Sequence, residues 1–222
     1  MDDAVSPMKF HEFEGVEDWR VVGDGACAFY QTRSIAEAAR FVQAISQLPG
    51  VDDHHPDVDV RRHGATVRLV TASGEYFGTT QRDLELARAI STAARSLGLV
   101  ADPSAVQSVL VIPGAADVSQ VMPFWRAVLG YEPRPDSPNE DLVDPHDRGP
   151  AFWFEQMKEL RGDGGGTVHV SVWVPYDQGQ ARVAAALAAG GRLVNESYAP
   201  AWWTLADAAG NEACISTVLH RG

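Results

Sequence analysis

Asp53-His54-His55-Pro56 is the stretch on which the reading of this chain turns, because it is the one place where two of the seven histidines are adjacent. In a regular strand, neighbouring side chains point to opposite faces. A proline at position 56 breaks that regularity and leaves both imidazoles free to reach one pocket. Imidazole gains and loses protons nearer neutral pH than any other side chain. Asp53 stands just before the pair, where a carboxylate can orient one ring. From residue chemistry alone three readings stay open: an acid–base site, a metal site and chance adjacency. His11, His146 and His220 stand alone and read as surface or core residues.

On either side of this stretch the sequence reads as strands flanking two helices. Ser34-Ile35-Ala36-Glu37 has the capping-box form. Behind it Ile35, Ala38, Val42 and Ile45 recur at helical spacing and predict one apolar face. Pro49-Gly50 ends that helix. Val60 to Thr71 is rich in β-branched residues and predicts a single strand. A second helix starts at Thr80, buries Leu84, Ala87, Ile90 and Ala94, and stops at Gly98. Two helices on one face of a small antiparallel sheet make an α+β layer architecture. Residues 99–106, with Pro103 among them, separate a first domain (1–100) from a second (105–222).

Asp53-His54-His55-Pro56, a strand ending at Thr71, Gly78 before Thr80, and Arg82-Asp83 leading a helix that contains Ala87 resemble the pterin-4a-carbinolamine dehydratase family in order and spacing. Trp19 and Phe41 fall where that family has an aromatic before its first strand and a phenylalanine in its first helix. The resemblance covers roughly residues 10–98. It implies dehydration of a 4a-hydroxytetrahydropterin to the quinonoid dihydropterin, without metal or other cofactor. By position it implies His54 and His55 as the acid–base pair. Asp53 and Asp83 would support the rings or contact the pterin beside Pro56, and the backbone near Val70 and Thr71 would bond the pterin edge. It also implies a homo-oligomer, a dimer or a tetramer. The sequence departs from the family at Ala72, where a third histidine usually follows the threonine, and at Val58, where an aromatic is frequent. The segment after Ala72 is about two residues longer than usual, which brings Glu75 and Tyr76 into consideration as replacements; His63, on the expected strand, is a weaker one.

The second half repeats a pattern. Val106 to Ile112 and Thr167 to Val174 read as strands. Ser119 to Leu129 and Gly179 to Ala189 read as helices stopped by Gly130 and Gly190-Gly191. Short strand candidates follow at Ala151–Gln156, Arg192–Glu196, Trp202–Ala206 and Glu212–Thr217. This predicts paired βαβββ modules joined by the flexible Gly162–Gly166 segment. Phe124-Trp125-Arg126-Ala127-Val128-Leu129-Gly130, Val168-His169-Val170 and Asp207-Ala208-Ala209-Gly210-Asn211-Glu212 resemble the glyoxalase/bleomycin-resistance group of the vicinal oxygen chelate superfamily. Many members of that group bind a divalent metal, and of its ligand positions His169 is matched. Gln107 or Ser108 stands at the first position, Glu155 is unanchored, and Cys214 stands at the final glutamate. No bound metal is therefore expected, and His169 reads as a pocket or core residue. Trp153, Trp173, Trp202 and Trp203 read mostly as core, with a stacked planar ligand as the alternative.

A formal net charge of −12 argues against a nucleic-acid partner, since phosphate would be repelled. Two cysteines in separate halves make no disulfide framework and fit a reducing compartment. No apolar run approaches a bilayer span and Met1-Asp2-Asp3 opens no signal peptide, so a cytoplasmic protein with a small-molecule, pterin-like substrate is expected. Beside the enzyme stand two other readings, both suggested by Ala72: a small-molecule binding protein without catalysis, and an oligomerisation or partner-binding module.

Overall fold

The computed structural model describes residues 3–73, 76–147, 149–157, 168–206 and 212–220, and the chain divides into two compact units, Met1–Val106 and Gln107–Gly222. The first unit runs α1 (Pro7–His11), β1 (Arg20–Val22), β2 (Gly25–Gln31), α2 (Ile35–Ile45), α3 (Val51–His54), β3 (Asp57–Arg61), β4 (Gly64–Leu69), β5 (Thr71–Ser73), β6 (Tyr76–Gly78), α4 (Gln81–Ser96) and β7 (Val100–Ala101). Its main sheet has the order β1-β2-β4-β3, with β7 also on β2, and every pairing is antiparallel. β5 and β6 form a separate hairpin.

Alternation along β2 and β4 puts Ala26, Ala28, Tyr30, Ala65, Val67 and Leu69 on one buried face. Both long helices cover that face. Tyr30 meets the Phe41 ring of α2 edge-on at 5.0 Å and shares a 3.1 Å hydrogen bond with Ser91 of α4. Trp19, wholly buried, donates its indole N–H to the same Ser91 at 3.0 Å. Leu84, Ala87, Ile90 and Ala94 are fully buried, as their helical spacing predicts. Burial of a large aliphatic side chain of this kind contributes about 1.5–3 kcal/mol. α4 ends at Gly98, which takes φ of 71°; Leu99 N–H bonds Ala94 O and Gly98 N–H bonds Arg95 O, the paired closure that a left-handed residue permits.

Three local expectations fail here. The predicted strand over 60–71 is two strands and the start of a third, because the chain reverses at Arg62-His63. Gly64 enables that hairpin, since a Cβ there would lie 2.5 Å from the Tyr30 carbonyl and against the Phe29 ring. In α2, Ile35 is 73% exposed and the face is instead Glu37, Ala38, Phe41 and Ile45. Glu37 turns inward because its carboxylate accepts Arg33 N–H at 2.7 Å and pairs with the Arg33 guanidinium. It does not return to the Ser34 N–H as a capping box requires, although Ser34 Oγ accepts Glu37 N–H at 3.2 Å.

The second unit runs β8 (Ser108–Ala115), α5 (Val118–Leu129), β9 (Glu132–Pro133), β10 (Asp141–Val143), β11 (Ala151–Trp153), β12 (Glu155–Gln156), β13 (Val168–Trp173), α6 (Gly179–Ala188), β14 (Arg192–Asn195), β15 (Trp202–Ala206) and β16 (Glu212–Ser216). The sheet order is β14-β15-β16-β13-β8-β11-β10-β9, with β12 on β8. β8 pairs parallel with β11, β13 pairs parallel with β16, and β8 and β13 pair antiparallel at the centre. That is two βαβββ modules back to back, the repeat expected from sequence, with β9 and β10 as strands the sequence reading missed. α5 packs through Val118, Val121, Met122 and Trp125 on Phe152 and Phe154, and α6 through Val183 and Ala186 on Trp203 and Ile215. The Gly162–Gly166 segment lies outside the described residues. Among the described residues no helix is long and apolar enough to cross a membrane.

Gly64→Ala is expected to destabilise the protein by about 1–3 kcal/mol. A shift of the urea midpoint at unchanged slope checks this.

Candidate active site and its relatives

The histidine pair does not lie on a strand. α3 is a single turn opened by Gly50 at φ 78° and closed by His55 at φ 50°, whose N–H bonds Val51 O at 2.8 Å. Histidine tolerates this left-handed conformation better than most residues. The consequence is that the two imidazoles part company: His54 is tucked in with its side chain 10% exposed, while His55 is exposed to solvent. Pro56 follows and starts the chain into β3.

His54 Nε2 lies 2.6 Å from Asp83 Oδ1. Asp83 sits in the first turn of α4 with no exposed surface. Its other oxygen, Oδ2, accepts Thr80 N–H at 2.7 Å, the Thr71 hydroxyl at 2.7 Å and the Thr80 hydroxyl at 2.8 Å. Four partners round one carboxyl group suit a carboxylate, which only accepts. Facing such a group, Nε2 must carry the proton, so Nδ1 is the basic nitrogen of a neutral His54. An imidazole fixed in one tautomer by a buried acid is equipped to take up and return a proton.

The remaining candidates are spread around this pair. Asp53 is exposed and makes no side-chain hydrogen bond among the described residues, so ring support comes from Asp83. Val70 lies between β4 and β5, outside any pairing register, and Thr71 opens β5 opposite Gly78. Thr71 reaches the site through its hydroxyl. Ala72 is exposed and paired with Phe77. Glu75 lies outside the described residues. Tyr76 commits its hydroxyl to Thr79 O at 2.5 Å, and burial, followed by the Asp83 and Asp3 carboxylates, raises its pKa and keeps it protonated. His63 is in the β3–β4 turn, at the far end of β4 from Thr71, roughly 17 Å of strand away. A cleft of about 420 Å³ is lined by Val5, Pro7, Val21, Asp24, Tyr76 and Thr79, and neither histidine lines it. Thr80 is the participant that sequence reading missed. Its signal was present in Thr80-x-x-Asp83, the spacing at which a helix cap and an N3 acid meet.

In the second unit, the sheet face turned away from α5 and α6 carries His169, Ser171 and Trp173 on β13. Across the register it carries Ile112 and Leu110 on β8, Cys214 and Ser216 on β16, Thr204 and Trp202 on β15, and Trp153 and Glu155 beyond β8. Trp203 faces the helices and is core. Ser171 and Ser216 hydroxyls bond at 2.9 Å, and Cys214 Sγ lies 3.5 Å from Thr204 Oγ1. Gln107 is exposed and accepts from Arg182 at 3.3 Å. Among the described residues no three His, Cys, Asp or Glu side chains gather to hold a metal ion. Among the described residues the donor set falls short of the three protein ligands a catalytic divalent metal needs: His169 faces Ile112 on β8, and Glu212, one step before the Val170–Ala213 pair, is the carboxylate beside it on β16. Most of the Asp207–Glu212 motif lies outside the described residues.

A family model described as pterin 4 alpha carbinolamine dehydratase matches residues 7–93. A protein of Thermomicrobium roseum named "Putative pterin-4-alpha-carbinolamine dehydratase" is 32% identical over 91 residues, covering 41% of this chain and 92% of that protein. The chain belongs to the pterin 4 alpha carbinolamine dehydratase family. A second member with that name, from Nocardia farcinica, is 34% identical over 82 residues, 37% of this chain and 84% of its own length. Beyond the dehydratase-like unit, residues 108–216 match a glyoxalase-like domain model. A glyoxalase/bleomycin resistance protein/dioxygenase superfamily member from Vibrio splendidus aligns over 50% of this chain and 99% of its own, at 20% identity and a TM-score of 0.33.

Within the dehydratase-like unit, Asp83→Ala removes the acceptor of four hydrogen bonds, one of them from a buried backbone N–H. It is expected to cost about 3 kcal/mol. Asp83→Asn keeps one acceptor oxygen and is expected to recover about half of that loss. Urea unfolding of both variants measures the difference.

Proposed function

We propose that the dehydratase-like unit converts a 4a-hydroxytetrahydropterin to the quinonoid dihydropterin by imidazole acid–base catalysis. The carbon–oxygen bond at C4a breaks, one proton goes to the departing hydroxyl to make water, and one leaves a ring nitrogen. No electrons are exchanged, so the reaction needs no redox cofactor. His54 and His55 divide the two proton transfers, and His54 acts at Nδ1 because Asp83 holds Nε2. The backbone at Val70 and Thr71 receives the pterin edge, and Asp53 and Pro56 are assigned as further pterin contacts. The observation that carries this reading is the 2.6 Å contact between His54 and a buried Asp83 that three further donors hold in place.

Freshly generated 4a-hydroxytetrahydropterin, followed by absorbance of the quinonoid product, tests it. The wild-type protein is expected to exceed the spontaneous rate, and His54→Ala to lose at least about a hundredfold. Equal rates with and without protein would sink the catalytic reading.

Ala72 favours a second reading, a pterin-binding protein without turnover, because alanine moves no proton where the family usually has a third imidazole. The two readings separate on Ala72→His. An exposed position accepts the new side chain, and a rate gain of about tenfold is expected if the site is a working dehydratase short of one proton carrier. Binding of 7,8-dihydrobiopterin by calorimetry, with no turnover in either form, would establish the binder instead.

For the glyoxalase-like unit we propose binding of a small planar molecule against Trp153, Trp173 and Trp202 without a catalytic metal. Support comes from three indoles sharing one sheet face with His169 and from Cys214 at the position of the usual final glutamate. Protein purified without added ions is expected to hold well under one metal equivalent by elemental analysis. Stoichiometric zinc, nickel or iron would refute this.

A further inference from the structure

The peptide group that joins Thr79 to Thr80 is engaged at both ends by different parts of the first unit. Its N–H, on Thr80, donates to Asp83 Oδ2 at 2.7 Å. Its carbonyl, on Thr79, accepts Val5 N–H at 2.8 Å and the Tyr76 hydroxyl at 2.5 Å, which uses both lone pairs. The Thr79 hydroxyl donates back to Val5 O at 2.7 Å, and Asp3 O accepts Gln81 N–H at 2.9 Å just beyond. Thr79 is 3% exposed and Val5 6%, so the bonds between these two are shielded from water, whereas the Asp3–Gln81 bond lies at the surface.

A peptide group is planar and stiff, so fixing the direction of its carbonyl fixes the direction of its N–H. Two donors on the carbonyl also polarise the group and strengthen the N–H as a donor. Helix capping alone asks for none of this. At the start of α2, Ser34 caps Glu37 and the surrounding bonds come from Arg33, a neighbour in sequence with an 89% exposed side chain. At the start of α4, the brace comes from residues 3–5, more than 70 positions away, and from the β5–β6 hairpin. That hairpin is also the segment that departs from the family at Ala72.

We infer that Thr79, clamped by residues 3–5 and by Tyr76, is a positioning residue for the His54–Asp83 pair. The inference rests on the dehydratase reading for its catalytic consequence, not for its geometry. Thr79 touches neither imidazole. It acts through the Thr80 N–H, which aims Asp83 Oδ2 and so leaves Oδ1 turned to His54.

Three variants of the full chain test this: Tyr76→Phe removes one donor to the carbonyl, Thr79→Val removes the hydroxyl at nearly constant volume, and Thr79→Ser keeps it. In Tyr76→Phe and Thr79→Val, kcat is expected to fall about tenfold with KM within twofold, as a small misplacement of the base predicts. In the same proteins, the proton NMR resonance of the His54 Nε2–H is expected to move upfield as its bond to Asp83 lengthens, and Thr79→Ser is expected to restore both values. An unmoved resonance in Tyr76→Phe and Thr79→Val, with only the melting temperature lowered, would overturn the inference by reducing the clamp to a structural one. If the wild type shows no turnover, the dehydratase reading falls and the resonance alone decides: a shift upholds positioning, and none overturns it.

Discussion

The first unit is organised around a carboxylate that it has taken out of water. Removing a charge from solvent costs several kcal/mol unless partners replace the lost hydration. Asp83 has four such partners: a ring nitrogen from the end of α3, a hydroxyl from the start of β5, and the hydroxyl and N–H of its own helix cap. Three segments far apart in sequence therefore meet at one group. Each is short and weak in isolation: one turn of helix, a three-residue strand, and a helix end. The charge favours this meeting point, since separating the segments would leave it buried without its partners.

What was legible in the sequence was whatever depends on local periodicity. The buried stripe Leu84, Ala87, Ile90 and Ala94, the stop at Gly98, and the doubling of the βαβββ unit follow from spacing that survives into the structure. What was illegible depends on contacts between distant residues. Nothing local marks Arg62-His63 as a turn inside a β-branched run, because the reversal is licensed by room beside Tyr30 that only the folded sheet defines. Periodicity alone puts Ile35 on the buried face, and the pairing of Glu37 with Arg33, which periodicity does not encode, turns that face toward Glu37 instead.

The candidate site divides along the same line. The residue types at positions 53–56 and 83 announced proton chemistry, and the family resemblance named them. Which histidine the acid would hold was not readable, since it depends on a left-handed turn at His55 that separates two adjacent side chains. Asp53, next to the pair in sequence, makes no side-chain hydrogen bond among the described residues, whereas Asp83 is 29 positions from His54 and in contact. Proximity along the chain was the weaker guide.

The second unit carries a different constraint in its central seam. β8 is hydrogen-bonded to β11 and β12 of its own module and to β13 of the other, so each module completes the other's sheet. Neither half has a finished border by itself. A chain cut between the modules would present Ser108–Pro113 of β8 as a raw edge, rich in Val, Leu and Ile, of the kind that recruits other strands. Duplication here is thus not redundancy. Loss of one copy by truncation leaves the survivor with an uncovered edge that another strand must close.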